Sequence, residues 1–152
     1  MANLLVQNNF SRAANSYQEH AKVQFEIGQR LIERFDYYSL DPQHILDIGC
    51  GPGIFSHQLK KRFPKSLVTA FDNSSSMLQK IKQKWRYKIA KVAGDMESLP
   101  FKNNSFDIIF ANQSIHWADD YNLLFKEISR ILKPTGVLVF STLGPDTFKE
   151  IT

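Results

Sequence analysis

Apolar, strand-like runs alternate with helical stretches along most of this chain, and few architectures accept that order. HILDIG (44–49), LVTAFD (67–72), YKIAKVAG (87–94), FDIIFAN (106–112) and GVLVFST (136–142) read as strands. Between them IFSHQLKKRF (54–63), SSMLQKIKQK (75–84) and YNLLFKEISRILK (121–133) have helical spacing, the last stopping before Pro134. Parallel strands need long crossovers, and intervening helices supply them with the right-handed connection that twisted strands favour. The expected fold is therefore α/β: a Rossmann-like doubly wound parallel sheet with helices on both faces. The near-continuous apolar character of the first, fourth and fifth strands predicts buried central positions for them. Ahead of the sheet, Phe10, Ala14, Tyr17, Ala21, Phe25, Gly28, Ile32 and Phe35 recur at steps of three and four. That spacing predicts an N-terminal helix, with Ser11 as its N-cap.

No repeat, linker or low-complexity tract interrupts the 152 residues, so a single domain over 1–152 is expected, and 43% hydrophobic residues suffice for its core. No apolar run approaches ~18 residues, and the first residues lack a charged segment followed by a long apolar one. The single cysteine, Cys50, forms no internal disulfide, and a cytoplasmic location is expected. The four histidines and one cysteine show no metal-ligand spacing, so no metal is expected. The net charge of +4 is concentrated in KKRFPK (60–65) and KIKQKWRYKIAK (80–91), with four and six basic residues. Solvated helix ends account for such runs; docking of an acidic partner is the functional alternative.

In open α/β sheets a ligand sits beyond the carboxyl ends of the strands. Here those ends are Asp47–Gly53, Phe71–Ser74, Gly94–Met96, Asn112–Trp117 and Ser141–Pro145, most of them small or polar. The first reads Asp47-Ile48-Gly49-Cys50-Gly51-Pro52-Gly53. A phosphate-gripping P-loop needs Gly-Lys-Ser/Thr, and Pro52-Gly53-Ile54 offers no lysine and one fewer backbone N–H. A dinucleotide fingerprint wants a third glycine where Ile54 stands, yet the acid expected about 20 residues on is present as Asp72. Spacing alone leaves NAD open. Asp47, just before the first glycine, sits awkwardly beside a pyrophosphate and suits a ligand bearing an ammonium and a sulfonium.

These segments resemble a family. D-I-G-C-G-P-G (47–53) is similar to motif I of class I S-adenosylmethionine-dependent methyltransferases. F-D-N-S-S-S-M-L (71–78) resembles their ribose-binding strand end, and G-D-M-E-S-L-P-F (94–101) their adenine-side loop. F-D-I-I-F-A-N (106–112) and R-I-L-K-P-T-G (130–136) match the fourth strand and the turn into the fifth. The resemblance implies S-adenosyl-L-methionine as cofactor, bound by Asp47, Gly49, Cys50, Gly51, Gly53, Asp72, Asn73, Asp95, Met96 and Asn112. Within that set Asp47 is expected near the cofactor's amino group and Asp72 at both ribose hydroxyls. Asp95 is expected to accept from the adenine amino group, with Met96 against the ring. Cys50 is expected to be a buried filler without nucleophilic function.

The chain ends narrow the resemblance. N-F-S-R-A-A-N-S-Y-Q-E-H-A (9–21) and S-T-L-G-P-D-T-F-K-E-I (141–151) are similar to the malonyl-acyl-carrier-protein O-methyltransferase family of biotin synthesis, and S-I-H-W-A-D-D (114–120) is compatible with it. That resemblance implies methylation of the free carboxyl of a malonyl thioester on carrier protein or coenzyme A. A carboxylate is ionised at neutral pH and needs no general base. No catalytic residue is assigned; Arg12, Tyr17, His20 and Trp117 are positioning candidates, with Tyr17 fitting core packing equally well. An acidic acyl carrier protein is the expected partner, with neither membrane nor nucleic acid. The family continues past the fifth strand with further helices and two strands, so the resemblance also implies a chain incomplete at its C-terminus. Another small-molecule methyltransferase and a non-catalytic S-adenosylmethionine-binding module are the alternatives.

Overall fold

The structure, a computed structural model, describes residues 2–144, with side chains from residue 18 onward. In chain order it contains α1 (Ala2–Glu33), a 3-10 turn (Arg34–Tyr37), β1 (His44–Ile48), α2 (Ile54–Arg62), β2 (Leu67–Asp72), α3 (Ser75–Gln79), β3 (Ala90–Ala93), β4 (Phe106–Asn112), a second 3-10 turn (Ile115–Trp117), α4 (Tyr121–Ile131) and β5 (Leu132–Ser141). The five strands form one parallel sheet in the order β3-β2-β1-β4-β5. The winding runs outward from β1 to β3 and then restarts at β4, so the switch point lies between β1 and β4. No helix among the described residues is long and apolar enough to cross a membrane.

Alternation along the strands sorts side chains to the two faces. Ile45, Val68, Ala70, Ile108 and Phe110 point to one face, where Phe35, Leu59 and Phe63 cover them. Leu46, Ile48, Phe71, Ile109 and Ala111 point to the other, beneath Leu124, Ile128 and Ile131 of α4. Those three recur at helical spacing, and α4 starts where the Asp120 carboxylate accepts the Leu123 N–H at 3.1 Å. Register aligns the strand ends: Asp47 pairs with Ala70 and Phe110, Asp72 with Ala93, and Asn112 with Ser141.

Four expectations are corrected. Helix α1 begins at Ala2, so Ser11 is an interior position and not its N-cap. The helix expected over 75–84 stops at Gln79, because the Gln83 side chain clamps the following segment: it accepts from Ile89 N at 2.9 Å and donates to Ile89 O at 2.8 Å. The strand expected from Tyr87 therefore opens only at Ala90, and Lys84 and Tyr87 form an isolated antiparallel bridge instead. The fifth strand is an edge strand with mostly half-buried residues; β1, β2 and β4 hold the interior positions.

Candidate functional site

After Ile48 the chain leaves the sheet through two glycines in the left-handed region, Gly49 at φ 69° and Gly51 at φ 52°. A Cβ on Gly49 would stand 2.3 Å from that of Ser114, whose hydroxyl donates to Ile48 O at 2.8 Å. A Cβ on Gly51 would meet nothing within 4 Å, because that position opens on the cleft. Gly53 lines neither cavity described below; it lies tight against Ile81 and closes the turn.

The turn's donors are all engaged within the protein. Gly49 N and Cys50 N both donate to Phe71 O, at 2.8 and 3.1 Å. Gly51 N donates to Asp72 Oδ2 at 2.9 Å, Gly53 N donates to Cys50 O at 3.0 Å, and Pro52 has no N–H. A loop that grips phosphate does so with free backbone N–H groups, and this one has none to offer.

Two adjoining cavities of about 830 and 230 Å3 lie over the strand ends and share Gln24, Gly49, Gly51, Pro52 and Asn112. Asp72, Asn73, Asp95, Met96 and Trp117 line the larger; Asp47 and Cys50 line the smaller. Asp47 is only 2% exposed and accepts from Ser56 Oγ at 2.7 Å. Burial, opposed by that hydrogen bond and reinforced by the charge of Asp72, pushes its pKa up to about 7. Asp72 accepts from Gly51 N through Oδ2 and from Ser74 N, at 2.9 Å, through Oδ1. An ionised carboxylate retains further lone pairs on both oxygens for a ligand in the cleft. Asp95 Oδ1 accepts from Glu97 N at 2.8 Å, and its other oxygen has no protein partner among the described residues. Cys50 is buried, and desolvation first, then the charges of Asp47 and Asp72, raise its thiol far above the ordinary range. Little thiolate is then present for nucleophilic attack.

Asn112 joins the cleft to the N-terminal helix. Its Nδ2 donates to Gln24 O at 3.0 Å while its Oδ1 accepts from Ser141 Oγ at 2.8 Å. The approach of α1 is close: a Cβ on Gly28 would meet Phe55 Cζ at 2.1 Å, and Phe25, Phe55 and Phe110 follow one another at 5.8 Å between ring centroids. Gln113, next along, has φ 53°, is 9% exposed and lines the larger cavity. Its N–H is held by Ser141 O and Oγ, at 3.1 and 3.0 Å, which fixes this strained backbone at the strand end.

Of the positioning candidates, Trp117 stands on the rim, 76% exposed and tilted against His116 at 4.9 Å. His20 lies on the exposed side of α1, where its Nε2 is 3.2 Å from Gln24 Nε2, and it lines neither cavity. It is close enough for its charge to add to the burial that lowers the pKa of His116. Arg12 and Tyr17 fall within α1, but their side chains lie outside the described residues. Gln24, Ser56 and Gln113 shape the site without having been singled out in the sequence, and Met77, in the 71–78 segment and readable there as a core residue, lines the larger cavity. Gln113 falls in a strand-end segment that topology flags; Ser56 and Gln24 sit on helices and belong to no motif.

Acids at the ends of three neighbouring strands, around a glycine turn at the switch point whose amides are all engaged, define an α/β domain with a cleft suited to a cationic, nucleoside-sized ligand. Residues 46–140 match the family described as Methyltransferase domain, and the chain belongs to that family. It is 46% identical over 144 residues to the malonyl-[acyl-carrier protein] O-methyltransferase of Legionella pneumophila subsp. pneumophila, a match covering 93% of this chain and 51% of that protein. The protein of the same name from Methylovorus sp. is 40% identical over 154 residues, covering 96% of this chain and 52% of the relative. The chain thus spans about half the length of the curated relatives it matches. Among solved structures, an S-adenosylmethionine-dependent methyltransferase from Mesorhizobium loti superposes with a TM-score of 0.63 at 30% identity, covering 68% of this chain and 48% of that one.

Proposed function

We propose that this chain carries the cofactor site of an S-adenosylmethionine-dependent O-methyltransferase that esterifies the free carboxylate of a malonyl thioester, in the cytoplasm, for biotin synthesis. The observation that carries the cofactor reading is the acidic rim of the cleft around a turn with no spare N–H group. That chemistry rejects a pyrophosphate and accepts a sulfonium, an ammonium and a ribose. Bound there, S-adenosylmethionine supplies a methyl group on a positive sulfur, open to in-line attack by an oxygen. Asp47 faces the amino group, Asp72 takes the two ribose hydroxyls, and Asp95 accepts from the adenine amino group with Met96 beside the ring. Gly49, Cys50, Gly51 and Asn112 give the methionine end its walls, and Asn73 follows Asp72 at the ribose edge; Gly53 supports the turn from behind.

The acceptor reading rests on likeness to the relatives named above and on the two chain-end segments. A malonyl carboxylate arrives ionised, so the protein's work is orientation and exclusion of water. Trp117, on the rim of the larger cavity, flanks the acceptor, and Arg12 is the proposed partner of its carboxylate. The test has two stages. Calorimetry with S-adenosylmethionine against NAD is expected to show binding of the former only; preference for NAD overturns the cofactor reading. Mass spectrometry is then expected to detect malonyl methyl ester from malonyl-carrier protein or malonyl-coenzyme A. Its absence alongside measured cofactor binding overturns the acceptor.

A further inference from the structure

The two basic segments, separate in sequence, meet in space around His57. His57 Nδ1 lies 3.1 Å from the Tyr87 hydroxyl, with 5.8 Å between the ring centroids, and Lys84 Nζ stands 5.8 Å from the centroid of the Tyr87 ring. Burial and then the charges of Lys84, Lys61 and Lys91 lower the His57 pKa, so α2 and the 80–91 segment present one continuous field of cations. The surface is held in shape. Gln83 clamps Ile89, Lys91 Nζ donates to Ile81 O at 2.8 Å, and Lys84 bridges to Tyr87. At its tip Trp85 is 90% exposed, with the Arg86 guanidinium 4.9 Å from the ring centroid.

An ordinary solvated face intersperses both signs of charge. This one does not: residues 80–91 contain no acid, and among the described residues Lys61, Lys82, Lys84, Arg86, Lys88 and Lys91 have no carboxylate within 4.0 Å. Arg62, Arg130 and Lys133, by contrast, are each paired. The patch also borders the cofactor turn, because Ile81 is the residue packed on Gly53. Unpaired cations around an exposed aromatic anchor suit an acidic protein surface. Nucleic acid would want a succession of stacking platforms or a groove-filling element, and here a single ring is free, Tyr87 being engaged with His57.

We infer that the surface formed by Lys61, Lys84, Trp85, Arg86, Lys88 and Lys91 docks an acidic carrier protein beside the cofactor cleft. The inference rests on the proposed function for its choice of partner. The test uses the whole chain and a malonyl-loaded acyl carrier protein, with binding followed by fluorescence anisotropy at low and high salt. The native chain is expected to bind and to weaken as salt rises. The triple variant K84E/R86E/K88E should lose affinity by about tenfold or more, and Trp85→Ala severalfold, while calorimetry with S-adenosylmethionine stays unchanged and certifies the fold. Unaltered affinity in the triple variant, no binding by the native chain, or tighter binding to a duplex oligonucleotide overturns the surface. Methyl transfer to malonyl-pantetheine, which needs no docking, is measured in parallel. Its absence with docking intact overturns the acceptor reading and leaves the surface standing.

Discussion

The Ser56 hydroxyl donates a 2.7 Å hydrogen bond to Asp47 inside a site where the carboxylate is 2% exposed. It is the single side-chain bond that lowers the pKa of an acid which burial holds up at about 7.

With Asp47 at the cofactor's amino group, as proposed above, cofactor affinity is expected to depend on pH. A cationic ligand favours the ionised carboxylate, so binding releases a proton near neutrality and strengthens as pH rises through about 7. Calorimetry at pH 6 and pH 8, in buffers of different ionisation enthalpy, is expected to show both effects. Equal affinity and no proton release would separate Asp47 from the ligand's charge.

The same group acts on stability in the opposite sense. Its folded pKa lies above the ordinary 3.8, so the native state holds the extra proton between about pH 4 and 7 and loses that stabilisation as pH climbs. Asp47→Asn keeps an acceptor for Ser56 and carries no buried charge. It should raise the Tm at pH 8 by about 3 °C or more and weaken S-adenosylmethionine binding, a trade of function against stability. Thermal melts at pH 5 and pH 8 check it, with the larger gain expected at the higher pH.

Ser56→Ala removes the bond and leaves the carboxylate unsatisfied. We expect a loss of about 1–3 kcal/mol in urea unfolding at pH 8, smaller at pH 5, and a shift of the affinity midpoint to higher pH.

The turn offers a paired test. Gly49→Ala drives a methyl to 2.3 Å from the Ser114 Cβ at a left-handed φ, and should destabilise the fold by at least about 3 kcal/mol. Gly51→Ala meets no protein atom within 4 Å and should cost only about 1 kcal/mol, from backbone strain. Its methyl enters the cleft, so it should weaken cofactor binding while the fold survives. Urea melts and calorimetry on both variants separate the roles.

Much of the architecture was legible in the sequence because binary pattern is a local signal. Runs such as Ile45-Leu46 and Ile108-Ile109-Phe110 have to be buried on both faces, and the acids and glycines at the strand ends are what a parallel sheet brings level. Position within the sheet was less legible. Val137 and Val139 read as central, yet their strand is an edge in this chain, because apolar content does not encode which neighbours a strand has. The early end of α3 was hidden as well. Gln83 looks like a helix former until its side chain is seen bonding both polar groups of Ile89. Ser56 and Gln24 act through partners 9 and 88 residues away, Asp47 and Asn112, and no spacing rule reaches across folded space.

A glycine turn whose amides are taken up largely by the neighbouring strand has a further bearing on how such a protein can change. The turn's amides are committed to Phe71, Asp72 and Cys50 by the fold itself, independently of any ligand. Asp72 serves at once as an internal strut to Gly51 and as a wall of the pocket. Converting the cleft to a nucleotide binder would thus require dismantling a brace of the molecule, and adding a lysine would not suffice. A lineage that inherits this turn inherits that constraint with it.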